Sequence, residues 1–182
     1  MSPDDEMPVP GKGGKLEDVD FAEIAALYDQ EMPRLVLFIK TLSNNLDDHA
    51  AADIAHTAFE KALPRWSSIR NPKAWLYAVS HNEVKARSKA LQQEIVTSTV
   101  PEQAGELSAA LAAEWRAEQR AVAAVLNILA PKQQQVMAWT LADFTDAEIA
   151  EVLGMTADAV RQNRFKAKRN LQRALEAKGR NA

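Results

Sequence analysis

Between Thr145 and Thr156 the chain carries helix punctuation dense enough to dictate the local fold. Thr145-Asp146-Ala147-Glu148 has the form of a capping box: the threonine hydroxyl accepts from the Glu148 amide, and the glutamate reaches back to the amide of Thr145. A short helix from Asp146 to Leu153 then buries Ile149, Val152 and Leu153, and Ala150 is small enough to let another helix cross closely. Gly154 suits a left-handed turn residue. Thr156 can cap a second helix that buries Val160, Ala167 and Leu171. Capped helix, glycine turn, capped helix is the order of a helix-turn-helix, whose second helix enters the major groove of DNA.

The rest of the chain also reads as helix. Strand-like alternation is missing, and Ala, Leu, Glu, Gln and Lys dominate. Asp20 caps a helix with Phe21, Ile24, Leu27 and Tyr28 on its apolar face. Pro33 either kinks that helix or starts its continuation through Leu35, Phe38, Ile39 and Leu42, and Asn44 and Asn45 end it. Asp47 or Asp48 caps a second helix with Ile54, Ala58, Phe59 and Leu63. A short loop, Trp66 to Arg70, leads to Asn71-Pro72, a cap followed by proline in the first helical position. The third helix runs through Trp75, Val79 and Ala86 to about Leu91. Residues 94–106 are polar and read as a linker. A long amphipathic helix follows, with Leu107, Leu111, Trp115, Val122, Leu126 and Leu129, and Pro131 opens another with Val136, Met137 and Leu141. The expected fold is all-α: two small helical domains joined by a flexible linker, the C-terminal one carrying the helix-turn-helix. The expected boundaries are a disordered arm over 1–19, a domain over 20–91, a linker over 92–113 and a domain over 114–178.

The formal net charge of −3 is the wrong sign for a protein that holds DNA by itself, but its distribution is uneven. Residues 1–63 carry 13 acidic and 5 basic side chains, and residues 92–155 carry 9 and 3. Residues 64–91 carry 6 basic and 1 acidic, and residues 156–182 carry 8 and 2. Phosphate contacts need local positive charge rather than a basic chain. Charge alone leaves a pair of solvated basic faces equally open. On the outer face of the second helix of the motif, Arg161, Phe165 and Lys168 form one stripe, and Gln162, Lys166, Arg169 and Arg173 the next. Arginine and glutamine read base edges, and a phenyl ring can meet a thymine methyl.

Other chemistry finds little support. The chain has no cysteine, which removes disulfides and thiolate metal sites and points to a cytoplasmic protein. His49, His56 and His81 match no zinc spacing, so no metal is expected, nor any other cofactor. No carboxylates form a recognisable catalytic set, and an enzyme is not expected. No run of 18 apolar residues exists, so membrane insertion is not expected either.

Three segments of the C-terminal half, Leu129 to Val136, Asp143 to Gly154 and Ala159 to Leu171, resemble the C-terminal domain of extracytoplasmic-function sigma factors. Phe21 to Tyr28, Pro33-Arg34-Leu35, Asp53-Ile54 with Ala58-Phe59, and Asn71 to Tyr77 through Asn82 resemble that family's promoter-melting domain. The resemblance covers about Asp20 to Leu175. It implies a sigma factor that binds core RNA polymerase and directs initiation at promoters with −10 and −35 elements, together with an anti-sigma partner. It further implies polymerase contacts around Asp53, Ile54 and Phe59, and a −10 face made by Ile69, Asn82, Trp75 and Lys73. Asn82 would hydrogen-bond an extruded base, and Lys85, Arg87 and Lys89 would add backbone charge. The −35 duplex would be read by Arg161, Gln162, Phe165 and Lys166, with Lys168 and Arg169 on phosphates. The linker would thread the polymerase channel. Departures from the family pattern are Ala50-Ala51-Ala52, His56-Thr57 and Arg164, which stands where an aliphatic residue is usual. The alternatives are a helix-turn-helix regulator that binds operator DNA without polymerase, and a helical adaptor with no DNA role.

Overall fold

The computed structural model describes residues 21–43, 46–93, 117 and 121–179. The expected N-terminal arm, the Asp20 cap, Asn44 and Asn45, nearly all of the expected linker, and Leu107, Leu111 and Trp115 lie outside the described residues.

Helix α1 runs from Phe21 to Leu42 in one piece with Pro33 inside it. A proline there removes a backbone hydrogen bond. Burial on both sides of it, at Ile24 and Glu31 before and at Leu35, Phe38 and Ile39 after, gives the helix a continuous packed face that holds both halves in place. Helix α2, Asp48–Ala62, is capped by Asp47, whose carboxylate accepts from the amide of Ala50 at 2.7 Å. A 3-10 helix, Leu63–Ser68, takes up much of the stretch expected as loop. Pro64 in its first turn and the Ser68 hydroxyl donating to the Arg65 carbonyl at 2.7 Å close it. Asn71 then caps α3, Pro72–Gln93, by accepting from the amide of Ala74 at 3.1 Å. Helix α3 extends past Leu91, into the residues expected to begin the linker.

In the second half, α4 spans 121–126, α5 Pro131–Leu141, α6 Asp146–Leu153 and α7 Ala157–Gly179. Leu126 and Leu129 meet Met137 of α5 and Ala167 of α7 in one apolar cluster. Helix α5 ends in a Schellman turn. The amide of Phe144 donates to the Trp139 carbonyl at 3.2 Å and that of Asp143 to Thr140 at 3.1 Å. Asp143 sits at φ +66°, the only described residue other than glycine in left-handed space. The accompanying apolar contact is Phe144 against Trp139, centroids 4.8 Å apart.

Besides the cluster of the second half, the two halves are joined by a shared one. Trp139 of α5 is fully buried and meets Phe38 of α1 at 4.8 Å, His81 of α3 at 5.8 Å and Tyr77 of α3 at 6.3 Å between ring centroids. Phe144 meets Tyr77 at 5.2 Å. At the rim Arg34 donates to Asp143 at 3.3 Å. A single buried cluster therefore runs from Ile24 through Leu35, Ile54 and Tyr77 to Trp139, Ile149 and Val160.

Candidate nucleic-acid interface

The helix-turn-helix is built as its punctuation requires. The Thr145 hydroxyl accepts from the Glu148 amide at 3.4 Å, and the Glu148 carboxylate accepts from the Thr145 amide at 2.8 Å and from its hydroxyl at 2.7 Å. These bonds to its charged form hold the Glu148 carboxyl below its ordinary pKa. Gly154 lies at φ +60°, and the amide of Met155 donates to the Ala150 carbonyl at 2.8 Å. Thr156 caps α7 by accepting from the amide of Ala159 at 3.1 Å. Ile149, Ala150, Val160 and Ala167 are buried between the helices. Val152, expected on that face, is 39% exposed, because an eight-residue helix has only two full turns to set against its neighbours.

Arg164, the departure in α7, forms a bidentate ion pair with Asp146, the first residue of α6. It ties the two helices of the motif together and is not free for a phosphate. Arg161 is exposed and ion-paired with Asp158, one turn earlier. Gln162, Lys166, Lys168 and Arg169 are exposed. Phe165 is 62% exposed, so it does not tuck against the preceding helix, and the Arg169 guanidinium lies 5.8 Å from its ring centroid. The four residues expected to read duplex DNA and the two expected on its phosphates are thus all exposed on α7.

The residues implied for the −10 face are more scattered. Asn82 is exposed on α3, and Ile69 and Trp75 are half-buried against the core. Lys73 is engaged: its Nζ lies 3.7 Å from Glu31 and under 6 Å from the ring centroids of Tyr77 and Phe144. Glu31 is fully buried and accepts from the Tyr77 hydroxyl at 3.1 Å. Burial and then the Glu31 charge push the Tyr77 phenol far above its ordinary range. On α2, Asp53 is exposed, whereas Ile54 and Phe59 are 1% and 5% exposed. Both face α1 and α3 as core residues, because they fall on the helix stripe that the bundle covers. The outer face of α2 carries His49, Asp53, His56 and Glu60.

The three histidines do not meet. His56 is bonded to the Tyr28 hydroxyl at 2.7 Å, His49 is exposed, and His81 is buried against Trp139. No group of three or more metal-ligating side chains is present among the described residues. Burial, with a smaller contribution from Lys85, pulls the His81 pKa down to about 4. Sequence reasoning missed Trp139, His81 and the Arg34–Asp143 pair. They meet only through tertiary packing, the ion pair across 109 residues of chain.

Comparison with known proteins places this geometry. Residues 119–171 match the family model for sigma-70 region 4. No curated protein matches. Among solved structures, the chain is similar to the sigma factor RpoE in complex with the anti-sigma factor NepR from Bartonella quintana. That pair is 21% identical, with a TM-score of 0.60, over 85% of this chain and 97% of that one. It is also similar to CnrH in complex with the cytosolic domain of CnrY, at 18% identity and a TM-score of 0.61, over 90% of this chain and 94% of that one. Region 4 is thus matched on the helix-turn-helix half, and the chain has the fold of these two solved structures over most of its length.

Proposed function

We propose that the chain is a sigma factor that binds core RNA polymerase and directs promoter-specific initiation, with the α1–α3 bundle at the −10 element and α4–α7 at the −35 element. The observation that carries this reading is the open face of α7, with Arg161, Gln162, Phe165 and Lys166 exposed together on a region 4 match. A phenyl ring that is 62% exposed amid cations suits a groove edge better than water. Asn82, exposed on the basic α3, is the candidate for holding an extruded base of the melted strand. Asp53 and the outer face of α2 are the candidates for the polymerase clamp. Such a subunit works by binding rather than by catalysis, in the cytoplasm where polymerase is; no helix among the described residues is long and apolar enough to cross a membrane.

RpoE was solved with an anti-sigma factor, and a regulator of that kind is proposed for this chain too. The decisive experiment is reconstitution with sigma-free core polymerase. The expected result is a stable complex that initiates at a restricted set of promoters; failure both to bind core and to direct initiation refutes the reading.

A further inference from the structure

Between Ala157 and Leu175, helix α7 carries six basic side chains and a single acid, Asp158. A surface that only holds phosphates gains nothing from a carboxylate. Asp158 is exposed in the first turn of the helix and is bonded to Arg161, one turn on, from the guanidinium Nη2 to the carboxylate Oδ1. We propose that Asp158 is a specificity-determining residue of α7: it accepts from the N4 amino group of a cytosine in the base pair next to the guanine that Arg161 reads. The proposal rests on the reading of α7 as the helix that meets duplex DNA, and adds to it the base that one acid selects.

Asp158, Arg161 and Phe165 stand at i, i+3 and i+7 on one stripe of α7, and all three are exposed. The amino end of a recognition helix is the part that approaches base edges, so an acid in its first turn shares the groove-facing side with Arg161. A carboxylate also favours a helix amino end, but that benefit does not require the bond to Arg161, and Thr156 already caps this end by accepting from the amide of Ala159 at 3.1 Å. In water an exposed ion pair adds little stability. In a groove from which water is displaced the same pair is stronger, and it fixes the guanidinium while leaving its other N–H donors for O6 and N7 of a guanine. Side chains one turn apart have Cβ atoms ~5–6 Å apart, more than the rise of about 3.4 Å between base pairs. Asp158 is therefore set over the neighbouring pair. Its ionised carboxylate accepts hydrogen bonds and has none to give. Guanine and thymine present acceptors to it in the major groove. Adenine presents an amino group with the N7 acceptor beside it, and cytosine an amino group alone. Cytosine is thus the base that satisfies the carboxylate, whereas guanine or thymine leaves it desolvated and unpaired. The acid works mainly by rejecting wrong sequences.

The test is a selection from duplexes randomised over the −35 element, run on core polymerase reconstituted with the full chain and, at low salt, on the full chain alone. The unaltered chain is expected to enrich cytosine about tenfold at one position beside a guanine. Asp158→Ala should level that position, weaken the guanine preference beside it and raise binding to sequences with guanine or thymine there, because a repulsive charge is gone. Asp158→Asn should move the preference to adenine, since an amide both donates and accepts and so matches N7 and N6. Both substitutions fall at an exposed position and leave the Thr156 cap in place, so helical circular dichroism equal to that of the parent is expected. An Asp158→Ala loss that is equal across all sequences overturns the proposal and assigns the acid to the helix end. So does an Asp158→Asn variant that still selects cytosine. A full chain that selects duplexes alone but does not bind core overturns the sigma-factor reading, and the same base preferences still decide the role of Asp158. Selection of no sequence by either preparation overturns both.

Discussion

Asp143 occupies a backbone conformation that glycine adopts at lower cost, and it does so while bonded to Arg34 of the other domain. Local geometry and long-range contact therefore favour different residues at one position. Asp143→Gly is expected to raise the stability of the C-terminal half by up to ~1 kcal/mol in thermal melts, because the left-handed penalty disappears, while the link to Arg34 is lost. Gly154 is the converse case. Nothing lies within 4 Å of a methyl built there, so the cost of Gly154→Ala is backbone strain alone, about 1 kcal/mol, readable as a lower midpoint in urea.

His81 makes a pH prediction at the same scale. Its pKa is lowered to about 4 by burial, then by Lys85 on its own helix; the facing group from α5 is the uncharged indole of Trp139. At the rim of the contact, Arg34 and Asp143 pair with each other. A histidine whose pKa is depressed in the packed state favours packing fully above its free value near 6.5, and that preference is lost as pH falls toward 4. From pH 7.5 to 5.5 the folding equilibrium should shift about tenfold toward the unfolded state, read from urea midpoints at the two pH values. His81→Phe should flatten that dependence; an unchanged slope in the variant would exclude His81 as its source.

At the scale of elements, the helix-turn-helix depends on two devices of different kinds. The capping box at Thr145 is local, and Thr145→Ala should cost about 1 kcal/mol of stability. The Arg164–Asp146 ion pair joins α6 to α7. Arg164→Ala should destabilise the domain by ~1–3 kcal/mol, chiefly by stranding a half-buried Asp146, and should lower affinity for every promoter alike. Arg161→Ala should instead leave stability nearly unchanged, cost ~1–3 kcal/mol at one base position and reorder promoter preference. A uniform loss across promoters would assign Arg161 to the phosphate backbone.

Much of this level was legible in the sequence, because it is local. Thr145 with Glu148, Gly154, Thr156, Asp47 and Asn71-Pro72 each act within four residues, and each caps or turns the chain where it should. The exposure of Phe165 followed from its place off the apolar stripe. Less local features could not be read in this way. Pro33 inside an unbroken α1 depends on packing along the whole helix, and the burial of Ile54 and Phe59 depends on which stripe of α2 the bundle covers. The ion pairing of Arg164 depends on where α6 starts in space. Nothing in the spacing of Trp139 distinguishes a core residue of one domain from a hub between two.

At the scale of the whole molecule, the shared cluster changes how the chain should unfold. Domains that pack through a fully buried tryptophan unfold together when that contact is strong. Calorimetry of the free chain should show a single transition, and Leu141→Lys should separate it into two, the bundle α1–α3 and the helix-turn-helix half melting independently. A single transition that persists in Leu141→Lys would mean that the domains are coupled by something other than the edge of this contact.

The buried indole also divides the molecule's tolerance to change. Trp139 is fully buried and touches side chains of both halves, whereas the outer face of α7 is open to solvent. Substitutions around Trp139 are therefore expected to be felt in stability, because they strip contacts from two halves at once, whereas substitutions on the outer face of α7 leave the packing intact. The face that is free to meet another molecule is also the one that can vary without loosening the fold.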